Sequence, residues 1–394
     1  MVFERKKYKE LKNLLRYDEI IVLTGMRRVG KTTLMQQVFK EVESSNKVML
    51  NMDNPINQKL FEELDYDNIL EKLLSYGVVT SEKAFVFIDE IQNVPGIVKA
   101  IKYLYDNFDI KFFVTGSSSY YLKNLFPESL AGRKFIVELF PLDFEEFLVF
   151  NGKTQKFPIS LEQKAQAKNL IKTEKLKIYY EEYLQFGGFP QVVLASTPEK
   201  KEIYIKDIFS SYFEKDVKSL ADFKHINALR DLILLLMKRI GSKLDISKIS
   251  SILGLSRPTV YSYLSFLEQT YFIFLINLYS KNPDRETSGA KKAYLCDSGI
   301  INYLSRTDDG SIFENAVFNN LRNYGKISYY QNRHGTEIDF ILNDLSTAIE
   351  VKSEALPQHV NKVRRLADSL DLNNYYVVSK GFIDNEKVIL ASNL

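Results

Sequence analysis

The sequence predicts an α/β fold, a parallel sheet with helices on both faces, followed by smaller domains. Three observations predict it. An apolar run at residues 20–23 breaks at Gly25, and a helical pattern opens after Gly30-Lys31-Thr32. A second apolar run, 84–88, ends on Asp89-Glu90, and a third, 111–116, leads into Ser117-Ser118-Ser119. Between these runs, residues 33–42, 60–76 and 97–107 carry apolar positions at helical spacing. Strands alternating with helices imply a parallel sheet whose two faces are both covered.

Bulk properties narrow the class. At 394 residues the chain is long enough for two or three domains, and 45% apolar with 26% charged residues is ordinary for a soluble globular protein. A net charge of +3 implies no nucleic-acid partner by itself, so any such site must come from local clustering. The single Cys296 excludes an intramolecular disulfide and a multi-cysteine zinc site. His225, His334 and His359 are scattered and read as surface or packing residues. No apolar stretch approaches the ~18 residues of a membrane span. The basic N-terminus (Arg5, Lys6, Lys7, Lys9) lacks a signal-peptide core, so no membrane association and a cytoplasmic location are expected.

The first break reads as a phosphate-binding loop between a strand and a helix. Its glycines let backbone N–H groups turn inward around phosphates, and the helix N-terminus adds partial positive charge. Lys31 can reach the β- and γ-phosphates, and the Thr32 hydroxyl can ligate Mg²⁺. ATP and Mg²⁺ are therefore the expected ligands, held by Gly25, Arg28, Val29, Gly30, Lys31, Thr32 and Thr33. The plain alternative is a glycine-bearing turn with no ligand.

Asp89, at the end of the second strand, suits the carboxylate that orients a Mg²⁺ shell, and Glu90 suits the base that polarises the attacking water. Ser117, just after the third strand, or Thr115, near its end, could sense the γ-phosphate; a serine turn is the alternative.

Several segments follow one another in order: Thr24-Gly-Met-Arg-Arg-Val-Gly-Lys-Thr-Thr33, Phe87-Ile-Asp-Glu-Ile-Gln92, Val114-Thr-Gly-Ser-Ser-Ser119, Leu130-Ala-Gly-Arg133 and Leu139-Phe-Pro-Leu-Asp-Phe-Glu-Glu-Phe147. Together they resemble the AAA-type P-loop ATPases of archaea and bacteria that carry a C-terminal domain of unknown function. The likeness continues through Phe186-Gly-Gly-Phe-Pro190 and Ala293-Tyr-Leu-Cys-Asp-Ser-Gly299. It implies that Arg133 contacts the γ-phosphate, within one chain or from a neighbouring subunit of a homo-oligomer. The alternative for Arg133 is a surface pair with Glu128 or Glu138. Gly187-Gly188 reads as a structural corner.

Residues 228–279 change character. A helix at 229–240 precedes a second at 245–254, a turn at Gly254, a third helix capped by Ser256, and an apolar strand at 271–278. This is a helix-turn-helix pattern with a wing. Val260, Leu264 and Leu267 form its buried stripe, leaving Arg257, Thr259, Tyr261 and Ser262 to face a partner, which would be DNA. Lys243, Lys248 and Lys281 could add charge at its edges. A winged helix used as a spacer or protein contact remains the alternative, because Arg257 is the lone cation of that helix.

The last hundred residues run helix (with Glu314), strands at 327–331, 336–342 and 347–352, helix at 359–370 and strand at 375–379. Asp339, between Ile338 and Phe340, is expected to point away from the core, while Glu350 and Lys352 share one strand face. Two carboxylates and a lysine there suit metal-assisted phosphodiester cleavage, with Glu314, Asp339 and Glu350 holding Mg²⁺ and Lys352 positioning water. The order and the Asp…Glu-x-Lys pattern resemble the PD-(D/E)xK nuclease superfamily, which implies a restriction-endonuclease-like domain. Alternating charge on an exposed strand is the alternative. Ile338, rather than the family's proline, precedes Asp339.

The expected organisation is a P-loop ATPase core at 1–145, a helical lid and connector at 146–227, a winged helix at 228–285 and a nuclease-like domain at 286–394. The expected function is Mg²⁺-dependent ATP binding and hydrolysis coupled to DNA binding or processing. The alternative is a nucleotide-controlled switch whose C-terminal domains bind protein partners without cleaving.

Overall fold

The structure, a computed structural model, describes residues 3–63, 65–116, 132–153, 157–217, 226–305 and 307–394. The chain forms two compact units, Met1–Phe140 with Gln269–Tyr271 and Pro141–Glu268 with Phe272–Leu394.

The first unit runs α1 (Lys7–Leu14), β1 (Ile20–Thr24), α2 (Lys31–Glu41), β2 (Lys47–Asn51), α3 (Pro55–Phe61), α4 (Tyr66–Ser75), β3 (Ala84–Asp89), α5 (Ile97–Asn107), β4 (Ile110–Gly116) and β5 (Lys134–Glu138). Its sheet is parallel throughout, in the order β2-β3-β4-β1-β5. Every residue of β1 and β4 is buried, Lys111 and Thr115 of β4 included, which explains their largely apolar sequences: a strand covered on both faces has no solvent side. The helix expected over 60–76 is two helices. Asn54 caps α3, with Pro55 in its first turn, and Asp65 caps α4 by accepting from Asp67 N. The sequence reading missed β2 and β5, the two edge strands.

The second unit begins with α6 (Phe144–Phe150), α7 (Leu161–Gln166), α8 (Leu170–Phe186), α9 (Pro190–Val193) and α10 (Pro198–Ser211). It continues through α11 (Ile226–Met237), α12 (Ile246–Leu253), α13 (Arg257–Gln269), β6 (Ile273–Leu278), α14 (Pro283–Ser288), β7 (Lys292–Leu295) and α15 (Ser298–Leu304). It ends with α16 (Asp309–Leu321), β8 (Ile327–Gln331), β9 (Glu337–Leu342), β10 (Thr347–Lys352), α17 (Pro357–Ser369), β11 (Asn374–Ser379) and β12 (Val388–Leu390).

These strands make one mixed sheet, β12-β11-β10-β9-β8-β6-β7. Parallel pairing of Asn277 with Ser328 and Leu278 with Tyr329 joins β6 to β8. The segments expected at 228–285 and 286–394 therefore share a sheet, and β6 covers what would otherwise be an open edge of β8. The Gly187-Gly188 corner is also built in. Gly187 has φ +75°, and a Cβ there would lie 1.9 Å from the Asp297 carboxylate.

Candidate functional site

In the first unit, β1 delivers the chain to the C-terminal edge of the sheet, where residues 25–30 turn into α2. The turn needs left-handed backbone at Gly25 (φ +147°), Arg28 (φ +64°) and Gly30 (φ +97°). A Cβ at Gly25 would lie 2.0 Å from the Leu139 carbonyl oxygen, so only glycine fits. Lys31 is 5% exposed, and its Nζ donates to the carbonyls of Gly25 and Met26, both at 2.9 Å. The amine is thus gathered against the loop, where it can exchange carbonyls for phosphate oxygens. Val29 is buried, and Thr33 follows Thr32 in the first turn of α2.

Asp89, at the end of β3, meets that turn directly. The Thr32 hydroxyl donates to Asp89 Oδ2 at 2.8 Å, and the Thr115 hydroxyl donates to Oδ1. Burial raises the Asp89 pKa, an effect opposed by the hydrogen bonds from Thr115 and Thr32. Glu90 is half-buried with φ +56°; its N–H donates to Thr115 Oγ1 at 3.2 Å, and Gln92 donates to its carboxylate. Of the two candidates at the end of the third strand, Thr115 is fully buried beside Asp89, and Ser117 lies outside the described residues.

Arg133 is not brought to this loop. Its carbonyl accepts from Ile20 N, the first residue of β1, whereas the loop follows Thr24 at the other end. Strand rise puts these ends roughly 13 Å apart. Its guanidinium pairs with Asp106 at 3.3 Å, and Glu138, one of its expected partners, accepts from the Tyr271 hydroxyl at 2.9 Å. The expectation of a γ-phosphate contact within one chain is corrected accordingly. Glu128 lies outside the described residues.

The second constellation lies in the second unit. Antiparallel pairing of Ile349 with Phe340 brings the next residues, Asp339 and Glu350, together. Asp339 does not point away from the core as expected; it is 5% exposed, because β9 is covered on both faces. Val351 N donates to Asp339 Oδ2 at 2.7 Å. Lys352 Nζ stands 2.9 Å from Glu350 Oε1 and 3.9 Å from Asp339 Oδ2. Burial first, then the charges of Glu314 and Glu350, push the Asp339 carboxyl up to about 7.

Glu314, on α16, accepts from the Tyr294 hydroxyl at 2.6 Å, and burial raises its pKa against the opposing charge of Lys292. Among the described residues no group of three His, Cys, Asp or Glu side chains is close enough to hold a metal ion. The expected three-carboxylate set is therefore not assembled. The pair Asp339 and Glu350 does fit a hard cation, since Glu350 is 1% exposed and its Oε2 has no hydrogen-bond partner. Mg²⁺ commonly takes one or two carboxylates and completes its shell with water. The sequence reading missed Lys362, whose Nζ donates to Glu350 Oε1 at 2.8 Å from α17. Its only signal was a place three residues after His359 on the half-buried flank of that helix.

The segment α11 to β7 has the expected local features. Gly254 ends α12 with φ +62°, and Ser256 Oγ accepts from Thr259 N at 3.2 Å. Val260, Leu264 and Leu267 are buried, while Arg257, Tyr261 and Ser262 are exposed and Thr259 is half-buried. Lys243 and Lys248 are exposed, but Lys281 is paired with Asp371. No helix among the described residues is long and apolar enough to cross a membrane.

Residues 17–148 match the family model of an AAA domain, and residues 177–311 and 309–389 match models of two domains of unknown function. The uncharacterized protein MJ1544 of Methanocaldococcus jannaschii is 31% identical over 341 residues, covering 82% of this chain and 72% of that one. An uncharacterized protein of Haemophilus influenzae is 27% identical over 370 residues, covering 89% of this chain and 86% of its own length. Among solved structures, AMPPCP-bound DnaA from Aquifex aeolicus aligns with 67% of this chain and 87% of its own, at 17% identity and a TM-score of 0.30. That likeness is too slight to carry an argument.

Proposed function

The chain belongs to the family of the Methanocaldococcus jannaschii protein MJ1544, and on that premise we propose that it is a Mg²⁺-dependent ATPase that couples ATP turnover to DNA binding or processing. The observation that carries the ATPase reading is the 2.8 Å hydrogen bond from Thr32 to Asp89 beside a gathered Lys31. It joins the first turn after the glycine loop to the acidic strand end. Mg²⁺, when bound, would be held by Thr32 and Asp89 and would offset phosphate charge there. Lys31 and the loop N–H groups hold the phosphates. Glu90 takes the proton of the water that attacks the γ-phosphorus, the bond to the bridging oxygen breaks, and ADP departs.

In the second unit, α11 to β7 reads as a winged helix offering Arg257, Tyr261 and Ser262 to DNA. Residues 286–394 read as a nuclease-like fold in which Asp339 and Glu350 would hold Mg²⁺ and Lys352 would position water. The order of elements and the shared placement of these three side chains support this. A second reading is favoured by the ion pairs of Lys352 and Lys362 on Glu350: the acidic pair is already neutralised, as suits a nucleotide-controlled switch with a non-cleaving platform.

The test is a paired assay of ATP hydrolysis, with and without DNA, and of Mg²⁺- or Mn²⁺-dependent nicking. Lys31→Ala should abolish hydrolysis, and Asp339→Ala should abolish nicking alone. ATP turnover indifferent to DNA, with no nicking by the unaltered chain, would leave the switch reading in place. Loss of hydrolysis in Asp339→Ala would break the two-site assignment.

A further inference from the structure

We propose that Arg5, outside the matched AAA domain, is a positioning residue that sets the nucleotide loop for phosphate; the inference rests on the ATPase reading. Arg5 is only 6% exposed although it sits in a basic N-terminal run. Its Nη1 donates to the Val29 carbonyl at 2.8 Å, and its Nη2 donates to the Phe140 carbonyl at 2.7 Å. One planar guanidinium therefore ties the end of the loop to the chain just beyond β5.

The peptide bond explains why this matters. The Val29 carbonyl and the Gly30 N–H lie in one trans peptide plane and point in opposite directions within it. Fixing the carbonyl on Arg5 aims the Gly30 N–H away from Arg5, the side left for an anion. The loop is held at its other end too. Leu139 N donates to Thr24 O at 2.8 Å, and the Leu139 carbonyl fills the space a Cβ on Gly25 would need. Between these fixed ends Arg28 is left-handed, the backbone alternation that makes a concave nest of N–H groups.

The segment carrying Arg5 is itself docked on the loop's helix. Gln37 on α2 donates to the Phe3 carbonyl at 3.1 Å, and Lys12 on α1 pairs with Glu41 on α2 at 2.5 Å. Arg5 thus acts from outside the loop, touching its carbonyl and not the nucleotide. A buried carbonyl that loses a charged donor is free to turn, and the N–H beyond it turns as well. Because that N–H serves the bound nucleotide in ground and transition states alike, its loss appears in KM and not in kcat.

The experiment uses the full chain, with equilibrium binding of ATP and steady-state hydrolysis. Arg5→Ala is expected to raise the ATP Kd and KM about tenfold, with kcat within about threefold. Arg5→Lys, able to reach one carbonyl, should fall between. Leu11→Ala, which empties a fully buried position on α1, controls for loss of stability. The proposal is overturned if Arg5→Ala leaves Kd unchanged, or if Leu11→Ala raises Kd as much. An unaltered chain that binds no ATP would instead sink the ATPase reading, and with it this one.

Discussion

The Thr115 hydroxyl donates to the carboxylate of Asp89, and the same oxygen accepts from Glu90 N at 3.2 Å. One side chain of β4 therefore holds Asp89, the last residue of β3, and the backbone of Glu90, the residue after it. Thr115→Val keeps the shape but leaves Asp89 Oδ1 and the Glu90 N–H unpaired in a buried place, at a cost of about 1–3 kcal/mol. Because Glu90 would shift relative to the attacking water, kcat for ATP should fall about tenfold while KM moves little. Steady-state kinetics decide it; an unchanged kcat would remove Thr115 from the site.

Gly25→Ala tests the start of the loop. The added Cβ would meet a backbone carbonyl at 2.0 Å, at a φ of +147° that alanine avoids. Backbone cannot yield as a flexible side chain does. We expect a loss of about 2–4 kcal/mol from the first unit, seen as a lower Tm, together with loss of ATP binding. A variant with unaltered Tm would show that the loop has room to open.

These residues also mark how far the sequence was legible. β1, β3 and β4 could be found because central strands of a parallel sheet are apolar on both faces. β2 and β5 escaped: Lys47 and Met49 are half-buried in β2, and only Val137 is buried in β5. The same both-faces burial that revealed β4 misled the reading of Asp339, since an alternation argument presumes one wet face. Arg133 needed the sheet to show that it stands at the wrong strand end. Arg5 and Lys362 act across 24 and 12 residues, with no motif to announce either.

Asp297 gives a pH signature. It is 3% exposed, accepts from Gly188 N at 2.6 Å and Gly299 N at 2.9 Å, and burial pushes its carboxyl from 3.8 up to about 6. A folded pKa above the unfolded one means stability that is complete below about pH 4 and lost as pH rises through about 6. The loss is on the order of 3 kcal/mol. Asp297→Asn cannot titrate, so the Tm difference between the two proteins should shift against the unaltered chain from about pH 4 to pH 7. A difference that is flat with pH would place the titration elsewhere.

The acidic pair of the second unit can be probed without any cleavage assay. Asp339 and Glu350 are both buried, and Lys352 lies 2.9 Å from one and 3.9 Å from the other. The half-buried amines of Lys352 and Lys362 already bring positive charge to Glu350, so a divalent ion must add to it or displace it. A cation that binds the folded chain alone raises stability by RT ln(1 + [M]/Kd), about 2.7 kcal/mol at a hundredfold excess over Kd. Mn²⁺ should therefore raise the Tm of the second unit, and a chelator should reverse the rise. Asp339→Asn and Glu350→Gln should each abolish it, while Lys352→Met, which removes one of the two competing charges, should leave or enlarge it. If Mn²⁺ stabilises Asp339→Asn as much as the unaltered chain, the ion binds elsewhere and the pair serves only as a partner for Lys352 and Lys362.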